Sequence, residues 1–98
     1  MLPPGAGILR LVVTPQVTVG EKIVARIECR NLGPVTVTID PPDTVLISGE
    51  RQVILGGGTG TELLEWQVAH AQKNLNTIVE IRARSGGLLQ LGLCRVRG

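Results

Sequence analysis

The sequence predicts an all-β domain, an antiparallel two-sheet sandwich of about seven strands, on three observations. Its apolar residues are mostly Val, Ile and Leu, the branched side chains that suit a pleated sheet. Short runs alternating apolar with polar residues recur between Gly, Pro and Asn. No stretch keeps a helical period for more than about two turns.

The first run is Ile8 to Thr14, broken at Pro15 and resumed as Gln16 to Val19. A proline there marks an edge strand that switches partner, where a missing N–H is tolerated. After a turn at Val19-Gly20-Glu21, residues 22 to 31 form the clearest strand, with Ile23, Ala25, Ile27 and Cys29 in the inward phase. Asn31-Leu32-Gly33-Pro34 is turn chemistry; Val35, Val37 and Ile39 then alternate with Thr36 and Thr38 until Pro41-Pro42 ends the strand. Residues 45 to 47 and 52 to 55 flank Ser48-Gly49-Glu50-Arg51 and read as a hairpin or strand pair at the sandwich edge.

Gly56-Gly57-Gly58-Thr59-Gly60-Thr61 reads as a flexible connection, followed by a strand in which Leu64, Trp66 and Val68 share a phase and Trp66 points into the core. Residues 70 to 76 are compatible with a turn of helix. In the strand from 77 to 84, Val79, Ile81 and Ala83 lie opposite Glu80, Arg82 and Arg84. Ser85-Gly86-Gly87 turns the chain, and the last run, 88 to 96, pairs back with Leu89, Leu91 and Leu93 in one phase. With Ser85-Gly86-Gly87 as the turn, Arg84 and Arg82 fall opposite Leu88 and Gln90 on the exposed side. The whole, residues 1 to 98, reads as one immunoglobulin-like antiparallel β-sandwich, with an open five-stranded barrel as the rival.

Four pieces resemble the bacterial cell-adhesion-related and alpha-galactosidase-associated immunoglobulin-like modules: Val17-Thr18-Val19-Gly20-Glu21-Lys22, the strand ending in Cys29-Arg30-Asn31-Leu32-Gly33, the Gly-rich stretch at 56 to 60, and the strand carrying Trp66. The resemblance implies a non-catalytic spacer, adhesion or protein-interaction module, at the cell surface or outside the cell. A cytoplasmic location follows instead if the chain is complete as given. These motifs are turn chemistry open to any sandwich, so they speak to fold more than to function.

Composition narrows the partners. A formal charge of +2 is far from the dense basic surface of a phosphate-neutralising protein, which argues against nucleic acid. One Trp with neither Phe nor Tyr cannot build the aromatic platform on which sugars or single-stranded nucleic acid stack. No membrane span and no signal-peptide pattern is evident. The expected partners are a protein or the neighbouring domains of a larger chain, and the apolar last strand also leaves self-association open.

No cofactor or metal is expected. The Gly-rich run lacks the Gly-Lys-Ser/Thr ending of a phosphate loop. His70 is the sole histidine and no convergent catalytic partners are evident. Asp40 and Asp43 are too few for calcium and fit a rigid proline turn. Cys94 is one residue out of phase with Leu93 and faces the other side, which argues against a disulfide with Cys29. The candidate interaction surface is arginine: Arg26 and Arg30 on one outward face, Arg82 and Arg84 on another, whose bland alternative is a solvated face that discourages edge pairing. The leading expectation is a non-catalytic interaction module; the alternatives are an accessory domain of an enzyme such as a glycosidase, and a self-associating assembly subunit.

Overall fold

A computed structural model of the chain describes residues 7–98. Nine strands follow in order: β1 (Ile8–Val13), β2 (Gln16–Thr18), β3 (Lys22–Leu32), β4 (Val35–Asp40), β5 (Val45–Ile47), β6 (Gln52–Leu55), β7 (Gly58–Ala71), β8 (Asn76–Ser85) and β9 (Leu88–Arg97). They form two packed sheets, ordered β1-β3-β7-β5 and β2-β9-β8-β4-β6. The single open barrel is thereby set aside. No helix occurs among the described residues, so none is long and apolar enough to cross a membrane.

The split first strand does what its proline requires. Thr14, just after β1, still bonds to the first sheet, its N–H donating to the Val24 carbonyl at 3.0 Å while its Oγ1 accepts from the Val24 N–H at 3.0 Å. After Pro15, β2 joins the second sheet parallel to β9, with Gln16 opposite Arg95. The next turn follows from Gly20: its φ of 92° with Glu21 N–H bonded to Thr18 O at 3.0 Å is the type II pattern, which calls for glycine at that position.

The core forms from the inward phases. Ile23, Ala25, Ile27 and Cys29 of β3 face Val35, Val37 and Ile39 of β4 and Val79, Ile81 and Ala83 of β8, all buried. Trp66, the only aromatic ring, lies among them at 2 % exposure.

Three expectations are corrected. Residues 45 to 55 are not a hairpin: β5 pairs with β7 in one sheet and β6 with β4 in the other, and Ser48 to Arg51 cross between the sheets. Sequence cannot distinguish such a corner from a hairpin turn, because both use Ser, Gly and charged residues. The glycine run is not a free connection from 58 onward, since β7 starts there and Gly60 pairs with Cys29. Nor do residues 70 to 76 form a helical turn. β7 runs on to Ala71 opposite Val45, and Leu75 N–H closes a turn on Gln72 O at 3.1 Å.

Candidate functional site

The hairpin of β8 and β9 sets the surface that matters most. Its loop is two residues, Gly86-Gly87, because Ser85 pairs with Leu88. Gly86 has φ 55° and Gly87 a negative φ, the pattern of a type II′ turn, whose first central position favours glycine. Ser85 is buried and its Oγ donates to Gly33 O at 3.3 Å, which anchors the hairpin to the turn between β3 and β4.

The three-residue turn expected from the sequence is one residue too long. Arg84 therefore lies opposite Leu89, Arg82 opposite Leu91 and Glu80 opposite Leu93, instead of Arg84 and Arg82 opposite Leu88 and Gln90. A one-residue slip sends every side chain of a strand to the other face. Cys94 and Val96 consequently enter the core at 0 % exposure, while Leu89, Leu91 and Leu93 stand outside at 45 %, 57 % and 57 %. Leucine is an ordinary core residue, so three in alternation on an outer face form a patch and not scattered exposure.

Backbone direction adds a second property. In a strand, alternate residues aim their N–H and C=O to the same side, and the pair closing a two-residue hairpin is mutually bonded. Leu88, Gln90, Gly92 and Cys94 therefore bond to β8, and Leu89, Leu91 and Leu93 point away from it. The bond from Arg95 N–H to Pro15 O at 2.9 Å has this outward sense. β2 covers that side of β9 only at residues 95 to 97. Pro15 has no N–H with which to extend the ladder, and β1 is paired with β3. Among the described residues, the edge of β9 from 88 to 93 is thus without a ladder partner. The core behind it is sealed by side chains instead: a Cβ on Gly92 would collide with Val13 Cγ2 and lie 3.3 Å from Leu11 Cδ2.

The four arginines do not form one patch. Arg82 and Arg84 lie beside the leucine row on the second sheet, where a shallow hollow is lined by Thr36, Thr38, Arg82, Arg84 and Leu89. Arg82 Nε is 3.4 Å from Glu80 Oε1. Arg26 and Arg30 lie on the outer face of the first sheet, opposite Val12 and Ile8 of β1, and Arg26 is ion-paired with Glu28. Only Arg82 and Arg84 share their face with Leu89, Leu91 and Leu93; Arg26 lies instead opposite the exposed Leu63.

The remaining candidates bring no chemistry together. His70 is an exposed strand residue opposite Leu46. Asp40 ends β4, and the following proline turn is closed by Val45 N–H on Pro42 O at 3.0 Å. No group of three or more His, Cys, Asp or Glu able to hold a metal occurs among the described residues. Gly57, with φ 81°, has a structural reason to be glycine: a Cβ there would collide with Gly33 O.

Both thiols are buried and free of any disulfide, in different sheets. Cys29 is opposite Leu9, whereas Arg95 is opposite Gln16, which puts Cys94 level with Pro15. Six positions of strand separate those levels (15 − 9), about 20 Å at ~3.3 Å per residue, far beyond the ~7 Å a disulfide spans between Cα atoms. Burial pushes the Cys94 thiol up to about 11. Burial, and after it the Glu62 carboxylate, raises Cys29.

The apolar last strand is legible in the sequence, but the outward facing of its leucine row is not. The signal was present in Gly86-Gly87, a strong two-residue hairpin loop, which sets Ala83, Ile81 and Val79 opposite Gln90, Gly92 and Cys94. Gln90 and Gly92 made that phase look like the wet one. No protein-family model matches the chain, and no curated protein matches it in sequence.

Proposed function

We propose that this chain is a non-catalytic, immunoglobulin-like interaction module that binds protein by accepting an extended strand along the open edge of β9. One observation carries the reading: the outward-aimed backbone groups on the 88 to 93 edge belong to the same residues, Leu89, Leu91 and Leu93, whose side chains form the exposed row. Strand addition uses the main chain for affinity and alternate side chains for specificity, and this edge offers both. The immunoglobulin-like part is supported by strand order. β1-β3-β7-β5 and β9-β8-β4 follow, in chain order, the A-B-E-D and C-F-G sheets of a seven-stranded constant-type sandwich. β2 and β6 are then additions at the edges. The resemblance to bacterial adhesion-related modules agrees with such a role.

The test is a titration of the isotopically labelled chain with a soluble peptide alternating Val and Thr and carrying Glu at both ends, to suit Arg82 and Arg84. Amide shifts confined to β9 and the adjacent face of β8 are expected. Shifts at the Arg26 and Arg30 face, or none at millimolar peptide, would remove the β9 edge from consideration.

A further inference from the structure

Resting on the strand-addition reading, we infer that the strand accepted by the β9 edge is β9 of a second copy of this chain, paired antiparallel about a twofold axis near Leu91. Two observations argue for a copy over an unrelated partner, and a third allows it.

The first is charge. Residues 88 to 94, Leu-Leu-Gln-Leu-Gly-Leu-Cys, contain no ionisable acid or base apart from the buried thiol. Edges are ordinarily protected from self-pairing by charged side chains or by being very short; the uncharged edge strands β5 and β6 have only three and four residues, and the longer open stretches carry charge. β1 carries Arg10, and β7 carries Glu62 and Glu65 where β5, confined to residues 45 to 47, does not cover it. The β9 edge has no such protection.

The second is phase. Leu89, Leu91 and Leu93 each turn both donor and acceptor to the edge, so an antiparallel copy centred on Leu91 satisfies all of them in mutually bonded pairs. The same operation sets Leu89 beside Leu93 of the second copy and Leu91 beside its equivalent, all on one face. Directly opposed apolar pairs of this kind stabilise a sheet, and a self-complementary patch is what a closed twofold contact requires.

The third lies one strand back. Arg84 adjoins Leu89 and Glu80 adjoins Leu93. Across the axis Arg84 comes into line with Glu80 of the second copy at each end of the seam, three strand spacings or about 14 Å away, while Arg82 at the centre lines up with its own equivalent and is neutralised by Glu80 of its own chain, so the charges one strand back leave the pairing open. Pro15 and the Gly86-Gly87 turn bound the pairing, limiting it to about six residues or ~20 Å. A contact one strand wide falls below the ~800 Å² per partner of a standard stable interface, so the dimer is weak and concentration-dependent.

The experiment is sedimentation equilibrium from micromolar to millimolar chain, with amide exchange measured at both extremes. A monomer–dimer equilibrium is expected, with Leu89, Leu91 and Leu93 amides fast when dilute and protected when concentrated, while Gln90, Gly92 and Cys94 stay protected throughout. Leu91→Glu, at a solvent-facing position, is expected to keep the fold by circular dichroism and weaken the dimer by about tenfold or more through a buried, unpaired charge. Ile54→Glu, at an exposed position on β6, leaves the dimer unchanged. A monomer at millimolar concentration, a mass that grows without limit, or a dimer indifferent to Leu91→Glu overturns the inference. Peptide binding by a chain that stays monomeric would reject the second copy and leave strand addition standing.

Discussion

Trp66 donates its indole N–H to the carbonyl oxygen of Glu50 at 2.8 Å, so the one aromatic ring of the core also ties down the corner where the chain passes between sheets. Gly49 completes the arrangement. Its φ is 100°, and a Cβ there would lie 3.2 Å from Trp66 Cδ1, so the corner turns tightly over the ring because residue 49 has no side chain. The same four residues, Ser48 to Arg51, carry the bonds Ser48 N–H to Gln67 O and Ile39 N–H to Arg51 O, each 2.9 Å. One end belongs to the first sheet and the other to the second.

Trp66 therefore has two separable roles. Trp66→Ala is expected to cost ~3–5 kcal/mol through the cavity it leaves. Trp66→Phe keeps much of the volume and abandons the bond to Glu50, for a cost nearer 1–2 kcal/mol, with about 1 kcal/mol from the bond itself. Urea unfolding of the two variants, read by circular dichroism, checks the order. Equal losses would show that the ring's volume contributes nothing beyond the bond.

How far the fold was legible follows from the same region. Inward phases on β3, β4 and β8 were legible because alternation with one buried face leaves a single consistent assignment; Ile23, Ala25, Ile27 and Cys29, and likewise Val79, Ile81 and Ala83, are buried as expected. The switch at Pro15 was legible because the missing N–H has few tolerable places. Partner choice for β5 and β6 was not, since it depends on Trp66 meeting Glu50 sixteen residues away. The β9 surface was lost to a single residue of turn length. Leu89, Leu91 and Leu93 carry the same alternation whether they face in or out, and only the Gly86-Gly87 register tells which.

Gly92 is expected to tolerate no side chain. A Cβ there collides with Val13 Cγ2 and lies 3.1 Å from Val13 Cβ, a contact against a stiff β-branched residue in a paired strand. Gly92→Ala should lower stability by ~1–3 kcal/mol through overpacking, despite the better strand propensity of alanine. The compensating Val13→Ala in the same chain should recover part of the loss, a coupling that a double-mutant cycle in thermal unfolding measures. Additive losses would place the two residues out of contact.

Glu21 gives the fold an acid-sensitive turn. Its Oε1 accepts from both the N–H and the hydroxyl of Thr18, each at 2.7 Å. These bonds, first the hydroxyl and then the backbone N–H, hold its carboxyl below the usual carboxylate range. The folded value is thus below the unfolded one, about 4.3 for a free glutamate. The contribution is present above that value and is lost as pH falls through the folded one. Carboxyl carbon shifts should titrate with a midpoint under about 4.3 for Glu21, and Thr18→Val should move it upward. An unchanged midpoint in Thr18→Val would mean that Thr18 does not hold the carboxylate.

The thiols make the opposite, alkaline prediction. Burial raises Cys94 to about 11, whereas an unfolded thiol ionises near 8.5. A raised folded value stabilises the protein below the unfolded value, and that contribution fades as pH climbs through the folded one, because only the unfolded chain sheds its proton in between. The melting temperature should therefore fall between pH 8 and pH 11, and fall less in Cys94→Ala, which has no proton to lose at that site. At neutral pH neither buried thiol offers appreciable thiolate, the reactive form. Iodoacetamide should label Cys29, 9 % exposed, before Cys94, which is fully enclosed. Labelling of Cys94 should run at the rate of global unfolding. Rapid alkylation of Cys94 in the native protein would require β9 to detach from β8 and turn its inward phase out, a motion incompatible with an edge stable enough to hold a second strand.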